Sequence, residues 1–361
     1  MRPTGNQAGS CNVVTPDRRK DDELPVSRPQ DLAQAANGED PAGGCRGTLT
    51  CFKVPLRSLA GEAAARLPSE VNACVTGPAG APLLVVLGGI SGTAAVAYRP
   101  DGTPGWWHCI FRDGGPVDAG RYRIMGIDFA ADESGGFAPD TYEQSAIIAD
   151  ALAALGEEEA FAIIGASYGG MVALAYAERF KPRSTRLAII SAGACPHPMA
   201  TAARSLQRQV VALGMRQGVG GEALAIARGM GMLTYRTARE FGERFEGGIE
   251  SCEPVSASAP RRYLDARGRA FAEVTAPGRF LSLSASIDRH RVDPRAIRAP
   301  ALVIGVEEDQ VVPPAQMEAL AGTLGGETQL HIIKSLYGHD AFLKEPEIIG
   351  GLIASWLETG A

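Results

Sequence analysis

Phe161-Ala162-Ile163-Ile164-Gly165-Ala166-Ser167-Tyr168-Gly169-Gly170, running on into Met171-Val172-Ala173-Leu174-Ala175-Tyr176-Ala177, is the stretch from which the rest of the chain can be read. Strand-type apolar residues meet Gly-x-Ser-x-Gly and pass at once into helix-forming residues, which predicts a strand, a sharp turn and a helix. At such a turn the serine is strained, and glycines two before and two after it let neighbouring backbone approach without a side-chain clash. Its hydroxyl is raised over a helix N-terminus, whose free N–H groups favour developing negative charge. The five-residue pattern alone is weak in a chain with 44 glycines. The strand before it and the helix after it supply the weight.

Further strands of the same kind flank this one. Leu83-Leu84-Val85-Val86-Leu87 is apolar throughout and is followed by Gly88-Gly89-Ile90-Ser91-Gly92. Runs without alternation belong to central parallel strands covered on both faces. Tyr122-Arg123-Ile124-Met125-Gly126-Ile127, Arg186-Leu187-Ala188-Ile189-Ile190-Ser191, Ala301-Leu302-Val303-Ile304-Gly305-Val306 and Gln329-Leu330-His331-Ile332-Ile333-Lys334 continue the series, with a helical stretch over 141–155. Two short strands, 48–54 and 70–76, are expected to pair antiparallel at the sheet edge. Strands alternating with helices over this length predict a mostly parallel, doubly wound α/β sheet.

Residues 196–298 break the rhythm. They hold helix-like segments at 201–216, 221–231 and 236–244 and no comparable strand, and are expected to form a helical cap inserted between core segments 47–195 and 299–361. Residues 1–46 mix charged, Pro, Gly, Gln and Asn residues without periodicity, and are expected to be a disordered tail.

The totals exclude several classes of function. At 361 residues and 45% apolar composition the chain can bury a large core. No apolar run approaches the roughly 20 residues that span a membrane, and the start of the chain lacks the basic-then-apolar order of a secretory signal, so a cytoplasmic protein is expected. A net charge of −6 argues against nucleic acid as a partner. Seven cysteines are scattered with no C-x-x-C pair, so neither a disulfide framework nor a metal site is expected, and reduced thiols are. No bound cofactor is expected either.

A serine nucleophile needs a base and an acid that orients it, and on a sheet of this kind they follow in the order Ser, Asp, His. After the strand ending at Val306 come Glu307-Glu308-Asp309-Gln310-Val311-Val312-Pro313-Pro314, where Asp309 is the candidate acid and Glu308 the fallback. After the last strand comes Ser335-Leu336-Tyr337-Gly338-His339-Asp340-Ala341-Phe342-Leu343, where His339 is the candidate base. The other four histidines lie inside a strand, beside paired tryptophans or in the cap. Oxyanion donors are expected from the backbone N–H of Tyr168 and from Leu87 or Gly88.

With Gly105-Trp106-Trp107, Leu206-Gln207-Arg208-Gln209, Met232-Leu233-Thr234-Tyr235-Arg236-Thr237, Ser286-Ile287-Asp288 and above all Gly338-His339-Asp340-Ala341-Phe342-Leu343, the chain from residue 83 onward resembles the homoserine O-acyltransferases of the α/β-hydrolase superfamily. That resemblance implies an α/β-hydrolase fold and an acyl-CoA co-substrate. It implies ping-pong transfer through Ser167 to the hydroxyl of L-homoserine, a step of methionine biosynthesis. It further implies that Arg236 holds the acceptor's carboxylate and Asp340 its amino group, and that the protein is a homodimer joined through the cap. Tyr168, where many acetyl-using members have Met, and the segment Ala203-Arg204-Ser205-Leu206-Gln207-Arg208 look like members that use succinyl-CoA. Succinyl carries a distal carboxylate, for which Arg204 is the candidate cation. Acetyl-CoA as donor, serine as acceptor, and plain ester or thioester hydrolysis remain alternatives on the same triad.

Overall fold

The computed structural model describes residues 49–245, 247–248, 255 and 258–359. The expected tail over 1–46 lies outside the described residues. Among the described residues eight strands form one sheet: β1 (Thr50–Pro55), β2 (Glu70–Thr76), β3 (Leu83–Leu87), β4 (Arg123–Ile127), β5 (Ala162–Ala166), β6 (Arg186–Ile190), β7 (Ala301–Val306) and β8 (Thr328–Ile333). Their order is β1-β2-β4-β3-β5-β6-β7-β8. β1 pairs antiparallel with β2, and β2 with β4, while every pairing from β4 to β8 is parallel.

Every residue of β3, β5, β6 and β7 is buried. Apart from Arg186, which opens β6 and donates to Trp356 O and Leu357 O, those four strands read as unbroken apolar runs because helices cover both faces. One core lies between the sheet and helices α2 (Thr141–Leu155) and α3 (Tyr168–Phe180), and a second is closed by the C-terminal helix Pro346–Glu358 on the other face. The short α1 (Gly61–Arg66) adds Ala63 to the first core. α2 starts at a capping box, with the Asp140 side chain accepting from the Glu143 N–H and the Glu143 side chain from the Asp140 N–H; Gly156, left-handed at φ 77°, ends it.

After β3 the chain first adds β4 on one side, then crosses back to add β5 on the other. The strand order therefore reverses at β3 and β5, and the crevice at their C-terminal ends is where such folds bind ligands.

Among the described residues, five α-helices lie between β6 and β7: α4 (Pro198–Arg216), α5 (Gly220–Tyr235), α6 (Ala238–Arg244), α7 (Ala259–Val274) and α8 (Pro277–Arg289). The first three match the expected helical segments, and the last two were not read from the sequence. α8 is returned to the core by His290, whose ring bridges Gly193 O (3.1 Å) and Thr141 Oγ1 (2.8 Å). The carbonyl can only accept, so Nε2 carries the proton and Nδ1 accepts from the threonine. Burial lowers the pKa of this histidine to about 4, which keeps it neutral.

The expectation of reduced thiols is corrected at one pair. Cys51 and Cys74 stand directly opposite each other on β1 and β2, with Cα atoms 4.1 Å apart, and are joined in a disulfide. Strand register brought them together, and spacing along the chain carries no trace of it. No helix among the described residues is long and apolar enough to cross a membrane, and no cluster of three or more His, Cys, Asp or Glu among them could hold a metal ion.

Candidate active site

Ser167 lies at the junction of β5 and α3 with φ 53° and ψ −120°, a conformation that costs a non-glycine residue about 1–3 kcal/mol and persists where its surroundings over-determine it. Here the Ser167 N–H is held by Ile190 O at 2.8 Å and the Gly169 N–H by Gly88 O at 2.9 Å. A side chain at Gly165 would lie 2.4 Å from Gly169 O, and one at Gly169 would lie 2.3 Å from Leu87 O. The two glycines of Gly-x-Ser-x-Gly are thus required by backbone packing on either side of the turn.

His339 follows β8 in a turn of 3-10 helix (Gly338–Asp340), with Nε2 2.9 Å from Ser167 Oγ and Nδ1 2.7 Å from Asp309 Oδ2. The carboxylate accepts from Nδ1–H, so Nε2 presents its lone pair to the serine hydroxyl. Asp309 is itself fixed: its Oδ1 accepts the N–H groups of Val311 (2.8 Å) and Val312 (2.9 Å), so the loop after β7 folds around the carboxylate. The fallback, Glu308, is used otherwise, accepting the Ser335 N–H at 2.9 Å. Burial disfavours the His339 imidazolium, but the charge and hydrogen bond of Asp309, with Asp340 beside it, outweigh burial and raise its pKa above the ordinary histidine value.

The expected oxyanion donors belong to the first residue of α3 and to the end of β3. The Tyr168 N–H belongs to the first residue of α3 and has no acceptor within the helix. Leu87 ends β3 opposite Gly165, and Gly88 leans on the face of Trp106, where a side chain would come within 2.8 Å of the indole. Trp106 stacks on Trp107, whose Nε1–H donates to Phe342 O at 2.7 Å and so ties the loop of His339 to the loop after β3. The paired tryptophans were visible in the sequence, but their buttressing role was not. The Tyr168 side chain is fully buried, with its hydroxyl 2.5 Å from Ser286 Oγ on α8 and its ring edge-on to Phe129. Burial raises its pKa well above the ordinary tyrosine value, so it stays protonated.

The cap supplies the charged wall. Arg236 caps α5 and is buried; its Nη1 donates to Glu240 Oε1 at 2.9 Å, and its Nε lies 2.9 Å from Asp340 Oδ2. That Nε–H does not point along the line to Asp340, so the contact is one of charge more than a directed hydrogen bond. Arg236 and Asp340 therefore stand as a pair beside the imidazole. Arg204 directs Nε (2.9 Å) and Nη2 (2.7 Å) to Asp288 Oδ1, and Arg208 directs Nη1 to Asp288 Oδ2 at 2.7 Å. Two guanidiniums share one carboxylate, which leaves an excess positive charge, and Arg204 is close enough to lower the proton affinity of His339. Arg208 and Asp288 were quoted for the resemblance without a role; the structure gives them one as the partners of Arg204.

The model of the α/β hydrolase fold matches residues 82–346. The chain belongs to the α/β-hydrolase family. Within this family it is 37% identical over 93% of its length to the homoserine O-succinyltransferase of Xanthomonas campestris pv. campestris, of which it covers 89%. It is 29% identical over 76% of its length to the serine O-succinyltransferase of Litchfieldella anticariensis, covering 88% of that protein. Among solved structures, the homoserine O-acetyltransferase from Bacillus anthracis superposes with a TM-score of 0.73 at 13% identity, over 86% of this chain and 98% of that one, a likeness of fold. These relatives are acyl-transferring members of the α/β-hydrolase family, and this chain is an enzyme of that kind.

Proposed function

We propose that the enzyme transfers succinyl from succinyl-CoA to the hydroxyl of L-homoserine by a ping-pong mechanism. The observation that carries the reading is the hydrogen-bonded chain Ser167–His339–Asp309 with an oppositely charged pair, Arg236 and Asp340, at its side. His339 Nε2 takes the Ser167 proton as Oγ attacks the thioester carbonyl, and the oxyanion is met by the N–H of Tyr168 and a second from Leu87 or Gly88. The C–S bond breaks and the CoA thiolate leaves with the proton from His339. Homoserine's hydroxyl then gives its proton to His339 and attacks the succinyl ester, and Ser167 Oγ leaves as the alcohol. Arg236 suits the acceptor carboxylate and Asp340 the ammonium, so a zwitterion can exchange partners with a pair already in place. The excess charge at Arg204, Arg208 and Asp288 suits the distal carboxylate of succinyl, and Arg204 Nη1 keeps a donor with no acceptor among the described residues. No resident cofactor has a part in this sequence of steps. A cytoplasmic setting belongs to the same proposal.

The test is a two-by-two assay of succinyl-CoA and acetyl-CoA against homoserine and serine. Thiol release is expected to depend on homoserine and to favour succinyl-CoA. Equal release without any amino acid would sink the transferase reading in favour of hydrolysis, and a clear preference for acetyl-CoA would sink the role of Arg204.

The homodimer belongs here too. Met199, Leu206 and Leu213 recur every seven residues on α4, and Ile226 and Leu233 do so on α5; all five are exposed. Seven-residue spacing puts each set on one helix face, and a self-complementary apolar stripe fits a two-fold contact with a second copy. Sedimentation is expected to give a dimer for the native chain and a monomer for the double variant Leu206→Lys, Leu213→Lys. A monomeric native chain at micromolar concentration would refute the interface.

A further inference from the structure

The loop after β3 begins at the second expected oxyanion donor, Leu87 or Gly88, and three of the five residues from Gly88 to Gly92 are glycine. Such a stretch has little stiffness of its own, so its shape depends on what ties it down. At its start Gly88 O accepts the Gly169 N–H of the elbow at 2.9 Å, and the turn closes where the Gly92 N–H meets Gly89 O at 2.7 Å. Gly92 backs directly onto the donor: a side chain there would lie 3.2 Å from Gly88 Cα. Two side chains hold the far end. Trp106 Nε1 donates to Thr93 O at 3.0 Å, and Asp128 Oδ1 accepts the Ala94 N–H at 2.7 Å.

Asp128 is the first residue beyond β4, and its surroundings are arranged for this contact. Gly126 lies two residues earlier, on the same face of the extended chain, and leaves the space through which the loop passes. A side chain there would lie 2.2 Å from Ala94 O. The other carboxylate oxygen, Oδ2, accepts from Asn72 Nδ2 at 2.7 Å, while the Asp128 N–H donates to Asn72 O at 2.9 Å. β2 thus fixes both the backbone and the side chain of Asp128. A carboxylate accepting a backbone N–H is a strong anchor, and Ala94 is buried, so loss of the acceptor would leave its N–H unpaired unless the loop shifted.

An oxyanion donor works only where its N–H already points at the developing charge, and a displacement of about 1 Å can cost on the order of a hundred-fold in rate. We infer that Asp128 is a positioning residue for acyl transfer, holding the loop after β3 so that its N–H meets the oxyanion on the carbon attacked by Ser167. The inference rests on the acyl-enzyme reading above. Asp128 acts through Ala94 and the turn closed by Gly92.

The experiment follows acylation of Ser167 by p-nitrophenyl acetate, an activated ester that needs no coenzyme, beside turnover of succinyl-CoA with homoserine. It compares the native enzyme with Asp128→Ala, Asp128→Asn and Asn72→Ala. Thermal melting reports the fold of each, and affinity for phenylboronic acid, which adds to Ser167 Oγ as a tetrahedral anion, reports the oxyanion site without turnover. Asp128→Ala is expected to lower the acylation rate and the boronate affinity together, each by roughly ten- to a hundred-fold, with the KM for homoserine unchanged; outright loss of a donor costs about a hundred- to a thousand-fold. Asp128→Asn keeps an oxygen for Ala94 and an amide that Asn72 can accept, and is expected to recover most of the loss. Should Asp128→Ala fail to melt as a folded protein, Asn72→Ala, a change at an exposed position, decides: a several-fold loss in both readouts sustains the proposal and no loss overturns it. A lowered melting temperature with native acylation and boronate affinity in Asp128→Ala, a change seen only as a rise in the homoserine KM, or a loss as large in Asp128→Asn would also overturn it. If the ester acylates the native enzyme and no acyl-CoA does, the donor reading falls while the role of Asp128 is still read from the ester; if neither acylates Ser167, both fall.

Discussion

Ser167→Ala is expected to lower kcat by about a million-fold, the scale on which removal of a triad nucleophile acts. The substitution is well controlled. Ser167 already sits at φ 53°, and alanine keeps the same Cβ in the same strained turn, so the backbone bonds to Ile190 and Gly88 and the packing of Gly165 and Gly169 are undisturbed. What is lost is the oxygen 2.9 Å from His339 Nε2. Mass spectrometry of the native enzyme mixed with succinyl-CoA is expected to find the acyl group on the peptide carrying Ser167, and to find none in the variant. Retention of a substantial fraction of activity, or an acyl group on another residue, would mean that the nucleophile lies elsewhere.

Asp309→Asn is expected to cost about ten-thousand-fold in kcat, with little loss of fold. The asparagine oxygen can still accept from Val311 and Val312, so the loop keeps its anchor. Its amide NH2 then faces His339 and makes Nδ1 an acceptor, which places the ring proton on Nε2, where the lone pair is needed. The pH profile supplies an independent check. His339 acts as a base only when neutral, and its pKa is raised chiefly by Asp309 against the opposing effect of burial. In the native enzyme kcat/KM should therefore fall as pH drops through a value above the ordinary histidine pKa. In the variant, with burial left less opposed, the residual activity should lose that limb at a lower pH. A limb that stays in place would remove Asp309 as the partner of the base.

The sheet was legible because β3, β5, β6 and β7 are buried on both faces, so that each of their residues other than Arg186 is apolar or small. The positions of Ser167, Asp309 and His339 were legible for a related reason: each follows the C-terminal end of its own strand, and a parallel sheet delivers all such ends to one crevice. The pairings of the cap were not. Arg204 meets Asp288 across 84 residues, and helical spacing within α4 says nothing of what stands opposite. α7 and α8 escaped because α7 buries only Gly268 and carries four arginines, and α8 has three buried serines among its apolar residues. Cys51 and Cys74 escaped because one register among several possible ones decides which cysteines meet.

The hydrogen bond between Tyr168 and Ser286 bears on how the inserted helices are held. It fastens the residue next to the nucleophile to α8, and α8 is fastened again where Ser282 accepts the Asp132 N–H and where Arg279 reaches Phe129 O. In mechanical terms α8 rides with the sheet, although the chain runs through it as part of the insertion. Arg204 and Arg208 on α4 thus close their ion pairs onto a carboxylate whose helix is anchored to the core, so the cationic wall is set by the sheet as much as by the helices that carry it.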